Sequence, residues 1–116
     1  MNKRYALGRV LSVGSSSDGN AYYVEINRKG YRTPFRLLIE CGFRYSELSR
    51  RLLNHGISIT NGVDAVLVTH EHNDHSLAVR ELVQRGKKVF APKSVFEKYG
   101  VLDLVSNHNI IRERSM

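Results

Sequence analysis

The sequence predicts an α/β fold, a mixed sheet with helices on one face. Two observations predict it. Short apolar or alternating segments that are typical of strands take turns along the chain with segments whose apolar residues recur at helical spacing. Two of the helical segments are followed by glycines, Gly56 and Gly86, which commonly end helices. The chain of 116 residues is long enough for one modest hydrophobic core.

The first part of the chain reads as strands. They are predicted at residues 9–13, 21–27 and 31–40, and the turn at 28–30 predicts a hairpin between the last two. The second part alternates helices and strands. A helix is predicted over 45–54, a strand over 63–68, a helix over 76–85, a strand over 87–91, and a short helix from Pro92 to about Tyr99.

Three histidines and one aspartate fall within six residues directly after the apolar segment 63–68. They are His70, His72, Asp74 and His75. Imidazole nitrogen and carboxylate oxygen are ligands for zinc, manganese and iron. His70 and His72 lie two residues apart, so an extended chain directs both to one side, where they can hold one ion. Asp74 and His75 come at a helix start and can reach a second ion. The clustering favours a metal site over a merely polar surface loop.

The motif His70-x-His72-x-Asp74-His75 after an apolar strand resembles the metal-binding motif of the metallo-β-lactamase fold hydrolases. Residues 14–21 resemble the glycine-serine loop of one branch of that superfamily. Residues 37–42 resemble the strand that carries the family's first acidic motif, with Glu40 where aspartate is usual. Together the three segments resemble the branch of small bacterial and phage proteins related to DNA exonucleases.

This resemblance implies the N-terminal half of a metallo-β-lactamase αββα sandwich. Residues 1–116 would form a single partial domain whose second half, with the remaining metal ligands, is absent. We therefore expect a fragment or truncated form, with self-association or a complementing second half as the source of the missing ligands. Without a cover, one apolar face of the sheet would lie open. His108, the only histidine after His75, reads as a turn residue and not as a ligand.

The resemblance also implies two divalent metal ions, zinc in the first place and manganese as the alternative. His70 and His72 would hold one ion, and Asp74 and His75 the other, with Asp74 as the catalytic residue. Such ions lower the pKa of a water and polarise a phosphate. Glu40 is expected to orient His75 or the attacking water.

The glycine-serine loop at residues 14–20 has two readings. Ser15, Ser16, Ser17 and Asn20 could border the metal cleft and contact a phosphate or substrate, since such loops expose backbone donors. Alternatively, the segment is a plain turn in which its two glycines adopt positive φ.

Charge and composition narrow the partners. Eighteen basic and eleven acidic residues give a net charge of +7, which attracts polyanions such as nucleic acid, although a merely solvated basic surface is the alternative. No apolar segment approaches eighteen residues, so no membrane span is expected. The single Cys41 fits a reducing cytoplasm, and we expect it to be a small buried residue.

The sequence thus predicts a metal-dependent hydrolase, a phosphodiesterase or nuclease acting on nucleic acid. Two alternatives stay open. One is a non-catalytic truncated domain that binds metal weakly or binds a protein partner. The other is a metallo-hydrolase of the thioester or β-lactam type, which would share the same motif.

Overall fold

The computed structural model describes residues 4–112, and its central feature is a six-stranded sheet. The strands lie side by side in chain order: β1 Tyr5–Ser16, β2 Gly19–Arg28, β3 Phe35–Ile39, β4 Ala65–Leu67, β5 Val89–Pro92 and β6 Ile110–Ile111. The first three strands pair antiparallel, and β3 to β6 pair parallel. The predicted mixed α/β sheet is therefore confirmed.

Four α-helices lie in the connections between the parallel strands: α1 Tyr45–Leu53, α2 Asn73–Ser76, α3 Val79–Gln84 and α4 Lys93–Lys98. Each connection leads to the next strand in the same direction across the sheet. Because such crossovers are right-handed, the helices all lie on one face. Gly56 and Gly86 follow α1 and α3 with φ of +76° and +82°, as predicted for helix ends. None of the helices within residues 4–112 combines the length and apolarity that a membrane crossing requires.

The prediction of a single helix over residues 76–85 was wrong. The chain forms α2 and α3 with a break at Leu77 and Ala78. In a continuous helix the Ala78 N–H would donate to the carbonyl of Asp74. Instead it donates to the Cys41 carbonyl over 3.0 Å, and the Asp74 carbonyl accepts from the Asn20 side chain. Tertiary hydrogen bonds thus outcompete the helix at this point.

The hydrophobic core lies between the sheet and the helices. Side chains in register on the helix-facing side of neighbouring strands are fully buried: Leu38, Val66 and Val89. They pack in one cluster with buried residues of all three longer helices: Leu48, Leu52, Val79, Leu82, Val95 and Phe96. This core holds the ends of β3 and β4 beside each other, so the residues that follow these strands have fixed relative positions.

The opposite face of the sheet is apolar and less covered. Ile39, Leu67 and Phe90 form one row across three strands and are half-buried. On the same face, Leu7 and Val10 of β1 are 70% and 53% exposed. An apolar sheet face therefore lies open in the part of the chain that the structure describes, as expected.

The prediction that residues 14–20 form a loop was wrong, because most of them belong to strands. Ser15 and Ser16 belong to β1 and pair with Asn20 and Gly19, so only residues 17 and 18 form the turn of a tight hairpin. Neither Gly14 nor Gly19 has positive φ. Both are glycines for a different reason, because the Phe43 ring lies against them and a Cβ on either would come within 2.3 Å of it.

Candidate metal centre

The candidate metal centre lies at the edge of the sheet where β3 and β4 end. Because these strands run parallel and side by side, Glu40 after β3 comes next to Thr69 and His70 after β4. The chain then enters α2 and brings His75 back to the same edge, where the His75 carbonyl accepts a 2.8 Å hydrogen bond from the Cys41 N–H. Residues 35 positions apart along the chain thereby meet.

Glu40 is the buried polar group around which the cluster is assembled, with only 5% of its surface exposed. One carboxylate oxygen accepts from the Thr69 N–H at 2.8 Å. The other accepts from the Thr69 hydroxyl at 2.8 Å and from Nδ1 of His75. Its backbone adopts a left-handed φ of +67°, which costs a non-glycine residue about 1–2 kcal/mol. The hydrogen bonds of the carboxylate offset that strain and hold its side chain against residues 69–75, which we call the metal loop.

These hydrogen bonds determine the tautomers of two histidines. Since Nδ1 of His75 donates to Glu40, Nε2 of the neutral ring carries the free lone pair. The Thr69 hydroxyl donates its proton to Glu40, so its oxygen accepts from Nδ1 of His70 at 2.8 Å. His70 therefore also offers Nε2. Fixing a ring through the nitrogen that does not bind metal is the usual arrangement at metal centres.

The other two predicted ligands, His72 and Asp74, lie in the same cluster. The ring of His72 stands edge-on to that of His70, with 4.7 Å between centroids, and the rings of His70 and His75 are 4.1 Å apart. Oδ2 of Asp74 lies 3.5 Å from Nε2 of His75. All four predicted side chains are thus brought together. The tightest donor group, however, consists of Glu40, His70 and His75.

The spacing of one donor pair, Asp74 and His75, fits a metal ion. Two ligand atoms, each at about 2.1 Å from one ion at a tetrahedral angle, lie about 3.4 Å from each other. The separation of 3.5 Å between Oδ2 of Asp74 and Nε2 of His75 matches that value. Glu40 is better suited to orienting the rings than to coordination, because its two oxygens already accept three hydrogen bonds.

Asn20 connects the hairpin of β1 and β2 to the cluster. Its side-chain nitrogen donates to the carbonyls of Ser16 at 2.9 Å and Asp74 at 3.1 Å. The same nitrogen lies 3.4 Å from Oδ2 of Asp74 and from Nε2 of His75. Ser15 and Ser17, the other polar residues of the predicted substrate loop, are exposed. Of the four candidate substrate residues in that loop, Asn20 therefore has the most direct contact with the candidate ligands.

Gly42 is a site residue that sequence reasoning missed. A Cβ on Gly42 would lie 1.7 Å from the carbonyl oxygen of Asp74 and 2.7 Å from the nitrogen of His75. Only glycine therefore allows the segment after β3 to lie directly against α2. The sole signal in the sequence was a glycine two residues after the acidic motif.

Ser76 and Tyr99 form a second support that the sequence did not indicate. The buried Ser76 hydroxyl lies 2.7 Å from the Tyr99 hydroxyl and within 2.9 Å of the carbonyls of Glu71 and His72. Burial raises the pKa of Tyr99, so it stays protonated and available as a donor at neutral pH. These contacts tie the backbone of the metal loop to the end of α4.

The remaining polar residues of the loop contact α4 and its end instead of the cluster. Oε2 of Glu71 accepts from the Ser94 hydroxyl at 3.3 Å, and Oδ1 of Asn73 lies 3.4 Å from the Tyr99 hydroxyl. Hydrogen bonds from its own backbone N–H and from Ser94 lower the pKa of Glu71. Neither residue contributes to the tight donor group.

Cys41 and His108 lie outside the chemistry of the site. Cys41 is completely buried, and that burial raises the pKa of its thiol well above the usual range. A protonated, inaccessible thiol is neither a nucleophile nor a ligand. His108 is exposed in a short 3₁₀ turn, Asn107–Asn109, directly before β6.

A family model, described as "Beta-lactamase superfamily domain", matches residues 35–109. The matched region begins at β3 and includes Glu40, the four predicted ligands and the supports around Gly42 and Tyr99. It covers more than half of the chain.

Individual proteins resemble the chain over parts of their own length. The chain is 28% identical over 86 residues to proteins named exodeoxyribonuclease WalJ from two strains of Streptococcus pneumoniae, D39 and R6. The alignment covers 73% of this chain but 29% of those relatives. Among solved structures, a metallo-β-lactamase from Hirschia baltica matches 98% of this chain and 55% of its own, with a TM-score of 0.50 and 12% identity. The mono-zinc form of FIM-1 from Pseudomonas aeruginosa matches 83% and 47%, with a TM-score of 0.47 and 13% identity.

Proposed function

The chain belongs to the metallo-β-lactamase superfamily, and we propose that it serves a metal-dependent hydrolase that cleaves phosphodiester bonds of nucleic acid. The observation that carries the proposal is the cluster at the ends of β3 and β4. There, two histidines are held with Nε2 free, and a carboxylate oxygen and an imidazole nitrogen are spaced for one ion.

We assign the ligands in two pairs. His70 and His72 would hold one divalent ion, and Asp74 with His75 would hold a second. When bound, such ions act as Lewis acids and lower the pKa of a water at the site. Glu40 orients His75 directly and His70 through Thr69, which fixes the direction of both rings. Asn20 restrains Asp74 at its backbone carbonyl.

The choice of nucleic acid has two supports. The net charge of +7 attracts polyanions at long range. The curated relatives carry the name exodeoxyribonuclease, and their likeness extends over 86 residues of this chain. Because the chain spans only 29% of their length, the activity of a complete enzyme is part of the proposal.

The test begins with metal binding. Zinc and manganese binding by the purified chain is measured by calorimetry, together with the double variant His70→Ala/His72→Ala. A matched control, His55→Ala/His108→Ala, removes two exposed histidines outside the cluster. We expect the control to bind metal like the parent chain and the cluster variant to lose the ion that His70 and His72 hold. Equal binding by all three proteins would contradict the ligand assignment.

Cleavage is then assayed on labelled DNA and RNA with each metal, and with nitrocefin and a thioester as substrates of the other hydrolase types. Metal-dependent cleavage of nucleic acid that stops on chelation is the expected result. Hydrolysis of only nitrocefin or the thioester would overturn the substrate class.

A second candidate is a chain that binds metal without catalysis. It is favoured by the ligand count, since each pair contributes two protein ligands whereas catalytic zinc sites commonly use three. Weak metal binding by the purified chain without cleavage of any substrate would select this candidate.

A further inference from the structure

A trough on the helical side of the molecule is separate from the metal cluster. It runs between α1 and α3 and is lined by Arg44, Arg50, Arg80 and Arg85, with Ser46 and Ser49 on the α1 wall. We call this set the basic trough. None of these six residues belongs to the metal cluster, so the proposed function leaves the trough unused.

The trough continues at both ends. At one end, Arg44 and Leu77 also line a depression whose two arginines, Arg44 and Arg51, are balanced by Asp18 and Glu47. At the other end, Arg85 also lines a depression in which Lys87 and Lys88 outnumber the single carboxylate of Asp64. The basic track therefore runs from the trough to the two lysines after α3, and an extended polymer could follow it.

The charge in the trough is unbalanced. Four guanidinium groups line it, of which Arg50 is paired with Glu47 and Arg85 with Glu81, so two positive charges are left without a partner in the described part of the chain. Glu81 pairs with Arg85 at 3.3 Å. Within residues 4–112, neither Arg44 nor Arg80 forms an ion pair. Those two guanidinium groups are therefore available to an anionic ligand.

Two of the arginines are held in place. The guanidinium of Arg85 stacks on the Tyr45 ring at 4.1 Å from its centroid. Nε of Arg80 donates to the Tyr99 carbonyl at 2.9 Å, which leaves its terminal nitrogens free. Ser46 and Ser49 lie three residues apart on one face of α1 and add hydroxyl donors. Planar guanidinium groups and hydroxyls are the side chains that commonly bind phosphate oxygens.

We propose that the basic trough binds the phosphodiester backbone of nucleic acid, at a place distinct from the metal cluster. The choice of nucleic acid over other polyanions rests on the proposed function. The excess of positive charge is a property of the trough itself and does not depend on that function. The adjoining basic side chains from Arg44 to Lys88 suit a polymer with regularly spaced charges. Such binding would hold a strand to the enzyme without reading its sequence.

The test measures binding without metal, so that it is independent of catalysis. Fluorescence anisotropy follows a labelled oligodeoxythymidylate of about 20 nucleotides in EDTA. The variant Arg44→Gln/Arg80→Gln removes two charges from the trough. The matched control Lys29→Gln/Arg32→Gln removes two exposed charges from the β2–β3 connection.

We expect the trough variant to raise Kd about tenfold or more and to lower the salt dependence by about 1.4 in slope, for two lost phosphate contacts. The control should change Kd far less. Equal losses in both variants would overturn the proposal in favour of unspecific attraction. Displacement of the DNA by polyglutamate at equal charge concentration would instead identify a site for acidic proteins.

The catalytic proposal and the trough proposal can fail independently, and the results differ. If the trough binds DNA but the chain cleaves nothing with metal, only the catalytic proposal fails. If the chain hydrolyses the small substrate bis(p-nitrophenyl) phosphate and the trough variant loses no DNA affinity, only the trough fails. His70→Ala/His72→Ala should keep its DNA affinity in EDTA.

Discussion

The metal centre and the basic trough are both polar regions, but they are built in opposite ways. In the metal centre, a carboxylate whose side chain is 6% exposed is bonded to Thr69 and His75, and the rings around it have defined orientations. In the trough, the side chains of Arg50 and Arg85 remain 62% and 56% exposed. Coordination requires fixed ligand positions, so the conformational entropy of those side chains is lost during folding and not when an ion binds. Phosphate attraction acts over several ångströms and tolerates side chains that stay largely exposed.

Among variants that separate the two regions, the largest effect on stability and metal binding is expected from Gly42→Ala. The added Cβ would lie 1.7 Å from the Asp74 carbonyl, so the metal loop must move. We expect a loss of about 3 kcal/mol in unfolding free energy and loss of the ion held by Asp74 and His75. Urea unfolding and calorimetric metal titration measure both effects.

Gly8→Ala serves as its control, because the nearest atom to a Cβ at that position is the flexible Asn27 side chain at 3.0 Å. If the two alanine variants bound metal alike, the close approach of Gly42 to α2 would be irrelevant to the site.

An intermediate effect is expected from Glu40→Gln, which replaces the carboxylate behind the rings by a neutral amide of similar size. Losing the charged acceptor for Nδ1 of His75 should weaken metal binding by about 10–100-fold. Binding of DNA in EDTA should stay unchanged, because the trough does not include Glu40. Parallel losses of metal and DNA binding would break the separation of the two regions.

The smallest effect is expected from Asp64→Asn, near the lysine end of the track. Partial burial raises the pKa of Asp64, but hydrogen bonds from the Arg36 side chain and N–H outweigh it and lower the pKa overall. A lowered carboxyl pKa stabilises the fold above the usual carboxyl range and loses that contribution as pH falls through the folded-state pKa.

The asparagine variant should therefore lose about 1 kcal/mol at pH 7, and the difference from the parent chain should shrink on acidification. Urea unfolding at pH 7, 5 and 3.5 measures this. A difference that stayed constant across these pH values would show that the Asp64 charge is not its source.

Local features of the site and fold were readable from the sequence alone. His70, His72, Asp74 and His75 fall within one short segment, so their type and spacing indicated a metal site before any folding was considered. The ends of α1 and α3 could also be predicted from neighbouring residues, because a single glycine with positive φ follows each helix.

Other features depended on residues far apart in the chain. The hydrogen bond of His75 to Glu40 spans 35 positions, and that of Asn20 to Asp74 spans 54. The break between α2 and α3 arises from the bond of Ala78 to Cys41, and Gly14 and Gly19 are required by the ring of Phe43. The basic trough exists only because residues of α1 and α3, far apart in the chain, line one depression.

The sequence by itself therefore determined which candidate ligands are present, the α/β class and where two helices end. The tertiary structure alone decided which imidazole nitrogen of His70 and His75 donates a hydrogen bond, why Gly42 is glycine and which arginines share one surface. The physical reason is range. Periodicity and turn chemistry act within a few residues, whereas strand register and helix packing bring together groups whose separation along the chain carries no signal.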